Sequence, residues 1–171
     1  MAIGLLILRL VVGITMAAHG SQKLFGWFGG GGIAGTAPFM EQLGFRPGRL
    51  HAALAGLSEA GGGLMLAAGL FTPLAAAMIV SVMLVATVTV HLAKGFFLQN
   101  GGYEFNLALA TGALALAFIG PGAMSLDAAL GIDWSGNGWG VTALVIALVG
   151  SGAQFLTRTR SPATAPAHQA S

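Results

Sequence analysis

The chain has 171 residues, of which 56% are apolar and only 7% are charged. A soluble domain normally carries about 25% charged residues, so this composition excludes a water-soluble globule. The net charge of +2 offers no basic surface for nucleic acid. The chain has no cysteine, which excludes disulfides, thiolate metal ligands and redox chemistry by its own thiols. If the chain handles electrons, they therefore belong to a bound molecule.

Five apolar segments approach or reach the roughly 20 residues that a helix needs to cross a bilayer. Gly69 closes the second segment and Pro73 opens the third, so these two form an antiparallel hairpin. The first segment lacks a basic n-region and contains Arg9, so we expect it to be retained and not cleaved as a signal peptide. We predict an all-α, polytopic transmembrane helix bundle with a four-helix core and a fifth C-terminal helix. The segments cover approximately residues 3–24, 50–70, 73–92, 105–119 and 138–156.

The basic residues predict how this bundle is oriented. With five spans, the lysines and arginines lie at the connections of one side, whereas Asp127 and Asp133 lie on the opposite side. The positive-inside rule makes the basic side cytoplasmic. The N-terminus is then outside and the C-terminal tail is inside. The basic residues of that side are Lys23, Arg46, Arg49, Lys94, Arg158 and Arg160.

Two connections have features of their own. The glycine run after the first helix resembles a flexible linker, because it lacks the preceding strand and the Gly-Lys-Ser/Thr ending of a phosphate-binding loop. It leads into a short helix from Pro38 to Leu43 that stops at Gly44. We interpret this helix as lying on the cytoplasmic membrane surface. From Thr157 onwards the tail has no periodicity, and we expect it to be disordered.

These features divide the chain into three parts. Residues 1–130 form the four-helix membrane bundle with the interfacial helix near 37–44, residues 131–157 form the additional transmembrane helix, and residues 158–171 form the cytoplasmic tail. We place the protein in the inner (cytoplasmic) membrane of a bacterial cell.

Polar side chains within the spans are the best indicators of function, because they are costly in hydrocarbon and need partners. Glu59 lies near the middle of its helix, and we expect it in the bundle interior against a basic or hydrogen-bonding group of the first helix, because a carboxylate that faces acyl chains has no such compensation. Counted from the cytoplasmic helix ends, four of the polar residues lie at similar depths, so four helices offer one candidate site. Those four are His19, Glu59, His91 and Glu104. The candidate ligand-binding residues are Arg9, His19, Lys23, His91 and Glu104.

Most of these residues also have a structural explanation. Arg9 could extend to the external headgroups. Lys23 and His51 lie near the cytoplasmic boundary, where interfacial anchoring is the favoured interpretation. His19 and His91 could serve as hydrogen-bonding links between helices.

Several short motifs follow one another along the chain. They are Arg9, Gly13, His19-Gly20-Ser21-Gln22-Lys23, the aromatic loop ending in the Pro38 helix, Glu59 with a glycine-rich helix end, Gly69 with Thr72, His91 with Glu104, and Gly120-Pro121-Gly122 with Ser125-Leu126-Asp127. Their order and spacing resemble the DoxX family over approximately residues 5–130. The resemblance implies a four-helix membrane bundle associated with redox proteins, including the quinone-linked subunit of thiosulfate:quinone oxidoreductase and a membrane partner of sulfurtransferase and superoxide dismutase. The fifth helix and tail depart from that pattern.

The resemblance implies a subunit of a membrane redox complex that binds a quinone or similar lipophilic molecule, with a redox protein or a second copy as partner. Such a chain would be an oxidoreductase subunit and not a self-contained enzyme. His19 and His91 would then contact quinone carbonyls, Glu59 would carry a proton, and Arg9 or Lys23 would supply a counter-charge. Heme between His19 and His91 is geometrically allowed, but the resemblance does not imply it.

Two other functional classes stay open. A small proton-coupled transporter would use Glu59 in a coupling-ion site, although the chain shows no clear inverted repeat or broken helix. A structural or assembly partner would need no ligand, and would dock another membrane protein through its glycine faces.

The orientation can be tested with topology reporters. A reporter fused after Arg160 should be cytoplasmic and one inserted near Asp133 should be external, because the basic connections stay inside. Paired phosphatase and fluorescent-protein fusions measure this. Reporters on the same side would show that the fifth span does not exist.

Overall fold

The structure is a computed structural model that describes residues 2–159. The described chain is all-α, as predicted, and its only bridge between extended residues joins Phe45 and Arg158. Long helices form the bundle and shorter ones connect them. In chain order the helices are α1 (Ala2–Phe25), α2 (Gly32–Gln42), α3 (Gly48–Ala68), α4 (Thr72–Ala86), α5 (Glu104–Ile119), α6 (Leu126–Ala129) and α7 (Asn137–Leu156).

Helix α4 does not stop at Ala86 but changes its winding. A π-helical turn spans Thr87–His91, and a 3-10 turn spans Leu92–Lys94. The wider π turn rotates the side chains that follow it, and such turns are frequent at functional sites.

Three helical stretches are long and apolar enough to cross a membrane: Ala2–Phe25, Thr72–Lys94 and Asn137–Leu156. They correspond to the first, third and fifth predicted spans, so the C-terminal helix is confirmed as a candidate span. Helix α5 has 16 residues and is apolar but shorter. Helix α3 is long enough at 21 residues, but its glycines and charged groups make it less apolar.

Small residues bring the backbones of α1 and α3 into direct contact, as in many membrane helix pairs. A Cβ added at Gly20 would lie 2.6 Å from the carbonyl oxygen of Gly56. A Cβ added at Gly63 would lie 2.5 Å from the backbone nitrogen of Ala17. The glycine faces of these two helices are therefore used within the bundle.

The hydrophobic core surrounds α4, which packs against α3, α5 and α7. Helix α7 also contacts α5, so the fifth long helix is part of the same core. The core residues on α4 and its neighbours are Leu66, Ala75, Ala76, Ala77, Ile79, Val80, Met83, Leu109, Ala113, Leu116, Ala117, Ala143 and Ala147.

The α3–α4 hairpin has the predicted ends. Gly69 ends α3 in the left-handed conformation with φ 66°, and Pro73 lies in the first turn of α4. A left-handed residue at this position costs least when it is glycine. The hairpin is therefore specified locally by the sequence.

The prediction for the connection between α1 and α3 was partly wrong. We expected a flexible glycine linker followed by a helix starting at Pro38, but α2 already begins at Gly32 and has Pro38 inside it. Packing explains the difference, because α2 lies on α3 and buries Ala37 against it. Tertiary contact here overrides the low helix propensity of glycine and proline.

The predicted disorder of the tail is wrong for its first residues. The Arg158 Nε donates to the carbonyl oxygen of Leu43 at 2.7 Å, and the Thr159 backbone N–H donates to that of Gly44 at 2.9 Å. These bonds attach the end of α7 to the α2–α3 connection. The rest of the predicted tail, with Arg160, lies outside the described residues.

The α1–α3 contact predicts a strong effect of one methyl group. Gly20→Ala should destabilise the bundle by about 1–3 kcal/mol, because the new Cβ meets backbone atoms that cannot move independently. Gly4→Ala on the same helix is the matched control, since no atom lies within 4 Å of its added Cβ. Thermal unfolding in detergent compares the two, and equal stability would contradict the described contact.

Candidate functional site

A cavity of about 520 Å³ lies between α3, α4 and α7 and is covered by α2. Its size falls within the range of small-molecule sites, and its walls are mostly apolar with a few polar groups, which is typical of such sites. The lining residues are Lys23, Phe39, Met40, Leu43, Phe45, His51, Leu54, Ala55, Ser58, Glu59, Ser81, Val82, Val85, Ala86, Thr89, Val90, His91, Gly150 and Gln154.

An ion pair forms one polar part of this cavity. Lys23 Nζ on α1 lies 2.5 Å from Glu59 Oε2 on α3. The Glu59 side chain is 4% exposed and that of Lys23 is 26% exposed. The carboxylate thus lies inside the bundle against a basic group of the first helix. A buried carboxylate without such a partner would be strongly unfavourable.

His91 lies in the π turn and lines the same cavity. Its Nδ1 donates to the carbonyl oxygen of Gly101 at 2.6 Å, because a carbonyl can only accept. In the neutral ring, Nε2 is then a hydrogen-bond acceptor. The contact to a quinone carbonyl that we predicted for His91 would need a donor at this nitrogen.

His51 and Gln154 form a second polar pair that the sequence analysis missed. The Gln154 side-chain nitrogen lies 2.5 Å from His51 Nδ1, and His51 is 3% exposed. We expected His51 to anchor at the interface, but it is buried against the ring of Phe45. Because His51 lies on the same helix face as Ser58 and Glu59, the sequence could have indicated that it faces the inside of the bundle with them. Nothing in the sequence pointed to Gln154, which lies on the fifth long helix.

Arg9 lies in a different part of the bundle. It is 1% exposed, so it does not reach the headgroups, and its Nη2 donates to the carbonyl oxygen of Met124 at 2.5 Å. Asp127 attracts it electrostatically. Lys23, and not Arg9, is therefore the counter-charge of Glu59.

Asp127 ties that opposite part of the bundle together. The fully buried carboxylate accepts the backbone N–H groups of Phe71 at 2.8 Å and of Thr72 at 3.1 Å. It also accepts the Thr72 hydroxyl at 2.8 Å. These bonds cap the start of α4 with a residue of the α6 segment, a role that the motif around Asp127 did not reveal.

His19 and Glu104 also lie outside the cavity. The His19 ring packs against Phe105 with 5.8 Å between centroids, and it borders a separate surface depression with Gln22. Glu104 accepts the backbone N–H of Leu98 at 2.9 Å. The structure thus brings together Glu59, Lys23 and His91 of the predicted residues, but not all six.

The loop before α7 contains one titratable group whose environment is well defined. Ser135 donates its hydroxyl to the Asp133 carboxylate at 2.5 Å and its backbone N–H at 2.9 Å. These bonds hold the pKa of Asp133 below its usual range, the side-chain bond most. Asp133 is therefore negatively charged at neutral pH.

No three His, Asp or Glu side chains within residues 2–159 are arranged to hold a metal ion. His19 does not line the cavity that His91 lines.

The Lys23–Glu59 pair predicts non-additive effects on stability. Lys23→Met should destabilise the bundle by about 3 kcal/mol, because it leaves a buried carboxylate unpaired. The double variant Lys23→Met with Glu59→Gln should lose less unfolding free energy than Lys23→Met alone, because it leaves no charged carboxylate without a partner. A double-mutant cycle of unfolding free energies measures the coupling. Additive losses would show that the pair is not coupled.

The DoxX family model matches residues 4–92, from α1 through the π turn. The inner membrane protein YqjF of Escherichia coli (strain K12) is 31% identical over 132 residues, which are 77% of this chain and 95% of that protein. No solved structure gives a significant match. The apolar helices contact the lipid bilayer, and with this relative they indicate the inner membrane. The chain belongs to the DoxX family.

Proposed function

We propose that this DoxX protein is a subunit of a membrane redox complex and binds a quinone or a similar lipophilic molecule in the cavity between α3, α4 and α7. The observation that carries the proposal is the cavity itself. Its walls are mostly apolar, and the Lys23–Glu59 pair, His91 and the His51–Gln154 pair all border it.

The apolar walls suit the ring and the first part of the tail of such a molecule. A quinone headgroup also needs hydrogen-bonding groups at its oxygens, and an exchangeable proton when it is reduced. Lys23 Nζ has three N–H groups and uses one of them on Glu59. The ammonium–carboxylate pair can therefore offer a donor to the ligand and a route for a proton.

The position of the cavity supports a cytoplasmic site. Lys23 and Leu43 border the cavity, and Arg158 binds the carbonyl of Leu43, so these connections lie at one end of the bundle. We propose that this end faces the cytoplasm, in accord with the positive-inside rule. The redox-protein partner would then supply or accept electrons on that side.

The assembly alternative loses the docking faces that the packed glycines of α1 and α3 would have supplied. We expected an assembly partner to dock through glycine faces, but the glycines of α1 and α3 pack against each other. A ligand site needs no such free face. The packing therefore favours a bound molecule over docking through these two helices.

Blocking the cavity tests the proposal. Ala86 lines the cavity, whereas Val88, two residues later, is 47% exposed on the outside of the bundle. Ala86→Trp should weaken binding of a short-chain benzoquinone at least about tenfold, or 1.4 kcal/mol, because the indole fills the space. Val88→Trp is the matched control and should bind as the original protein does.

Titration of the three proteins in lipid nanodiscs measures this difference. Folding is checked by comparing their melting temperatures without ligand. Equal binding by all three, or no saturable binding by the original protein, would contradict the proposed site.

A further inference from the structure

We infer that the cavity selects the reduced, hydroxyl-bearing form of its ligand, a hydroquinone or related phenol, over the oxidised quinone. This inference rests on the proposed function and adds a preference for one redox state. It follows from the hydrogen-bonding direction of the two histidines that line the cavity.

His91 presents an acceptor to the ligand. Its Nδ1 hydrogen is committed to the carbonyl oxygen of Gly101 at 2.6 Å. The other ring nitrogen, Nε2, makes no hydrogen bond to any side chain or backbone group of residues 2–159 and is not among the buried atoms left without a partner. Nε2 is therefore not sealed inside the protein. Gly101, the partner of Nδ1, does not line the cavity whereas His91 does, so we place Nε2 on the cavity side, where the neutral ring carries a lone pair.

His51 presents the opposite group. With the Gln154 amide N–H donating to Nδ1 at 2.5 Å, the neutral His51 ring carries its hydrogen on Nε2. That nitrogen is a donor, and we place it toward the cavity that His51 lines. The two histidines therefore offer one acceptor and one donor, each fixed by a protein partner at the other ring nitrogen.

A hydroxyl group satisfies both kinds of partner, because it donates one hydrogen bond and accepts others. A hydroquinone can thus donate to His91 and accept from His51. A quinone carbonyl only accepts, so it can use His51 or Lys23 but meets a lone pair at His91. A buried polar group left unpaired in this way lowers affinity and gives selectivity.

The preference does not depend on the orientation of the Gln154 amide. If its oxygen accepted from His51 Nδ1 instead, Nε2 of His51 would also become an acceptor. The site would then contain two acceptors, in addition to the Glu59 carboxylate, and would discriminate further against the quinone. The bond from His91 to Gly101 is the essential one.

The test compares a short-chain benzoquinone with its hydroquinone on the full chain in lipid nanodiscs, without oxygen. The hydroquinone should bind about tenfold more tightly or better. The bound quinone–hydroquinone couple should then have a midpoint potential about 30 mV higher than the free couple, because a tenfold difference in affinity corresponds to that shift for two electrons. Equal affinity, or tighter binding of the quinone, would overturn the selectivity while leaving the proposed binding function in place. Binding of neither form would overturn both.

Two substitutions at one position separate the ligand contact from the structural contact. His91→Asn keeps a side-chain N–H for the Gly101 carbonyl but places no acceptor at the Nε2 position, so hydroquinone affinity should fall to that of the quinone. His91→Gln places a rotatable amide there, so quinone affinity should rise instead. A full preference retained by both variants would overturn the role of His91. If a variant does not fold, the affinities of the original protein still decide the question.

Discussion

The direct backbone contact between α1 and α3 is the constraint on which the rest of the bundle depends. Gly20 and Gly63 lie where a Cβ would meet the backbone of the other helix. At this separation Lys23 on α1 reaches Glu59 on α3. Because a buried carboxylate needs a compensating charge, the close packing of α1 on α3 also supplies the partner that stabilises Glu59. The same ion pair then forms part of the cavity wall.

The cavity lies where the part matched by the family meets the C-terminal helix. Lys23, Glu59 and His91 fall within the matched residues 4–92, whereas Gln154 on α7 does not. The π turn that contains His91 and the pairing of His51 with Gln154 together determine which ring nitrogens remain available. The proposed ligand preference therefore depends first on His91 of the π turn, and the His51–Gln154 pair adds a second hydrogen-bonding group to the same cavity, so α7 contributes to the site.

The helices could be predicted from the length of the apolar segments, and the hairpin at Gly69 from its glycine and proline. The interior position of Glu59 could be predicted from the cost of exposing a charge to lipid. All three are local properties of the sequence. Which polar side chains share one site was less predictable. Distance along a helix gives depth but does not say which neighbours a side chain faces, so His19 was placed in one site with His91 although its ring packs on Phe105 and borders a separate depression. The start of α2 and the partner role of Gln154 depend on contacts between distant segments, which no local pattern records.

Mass spectrometry of the lipids extracted from the protein purified in mild detergent tests the central claim most directly. A quinone or hydroquinone present at about one molecule per chain in the original protein, and depleted in Ala86→Trp, is the result that this account predicts. A stoichiometric protein partner with no small molecule in the extract would contradict it and would favour an assembly role.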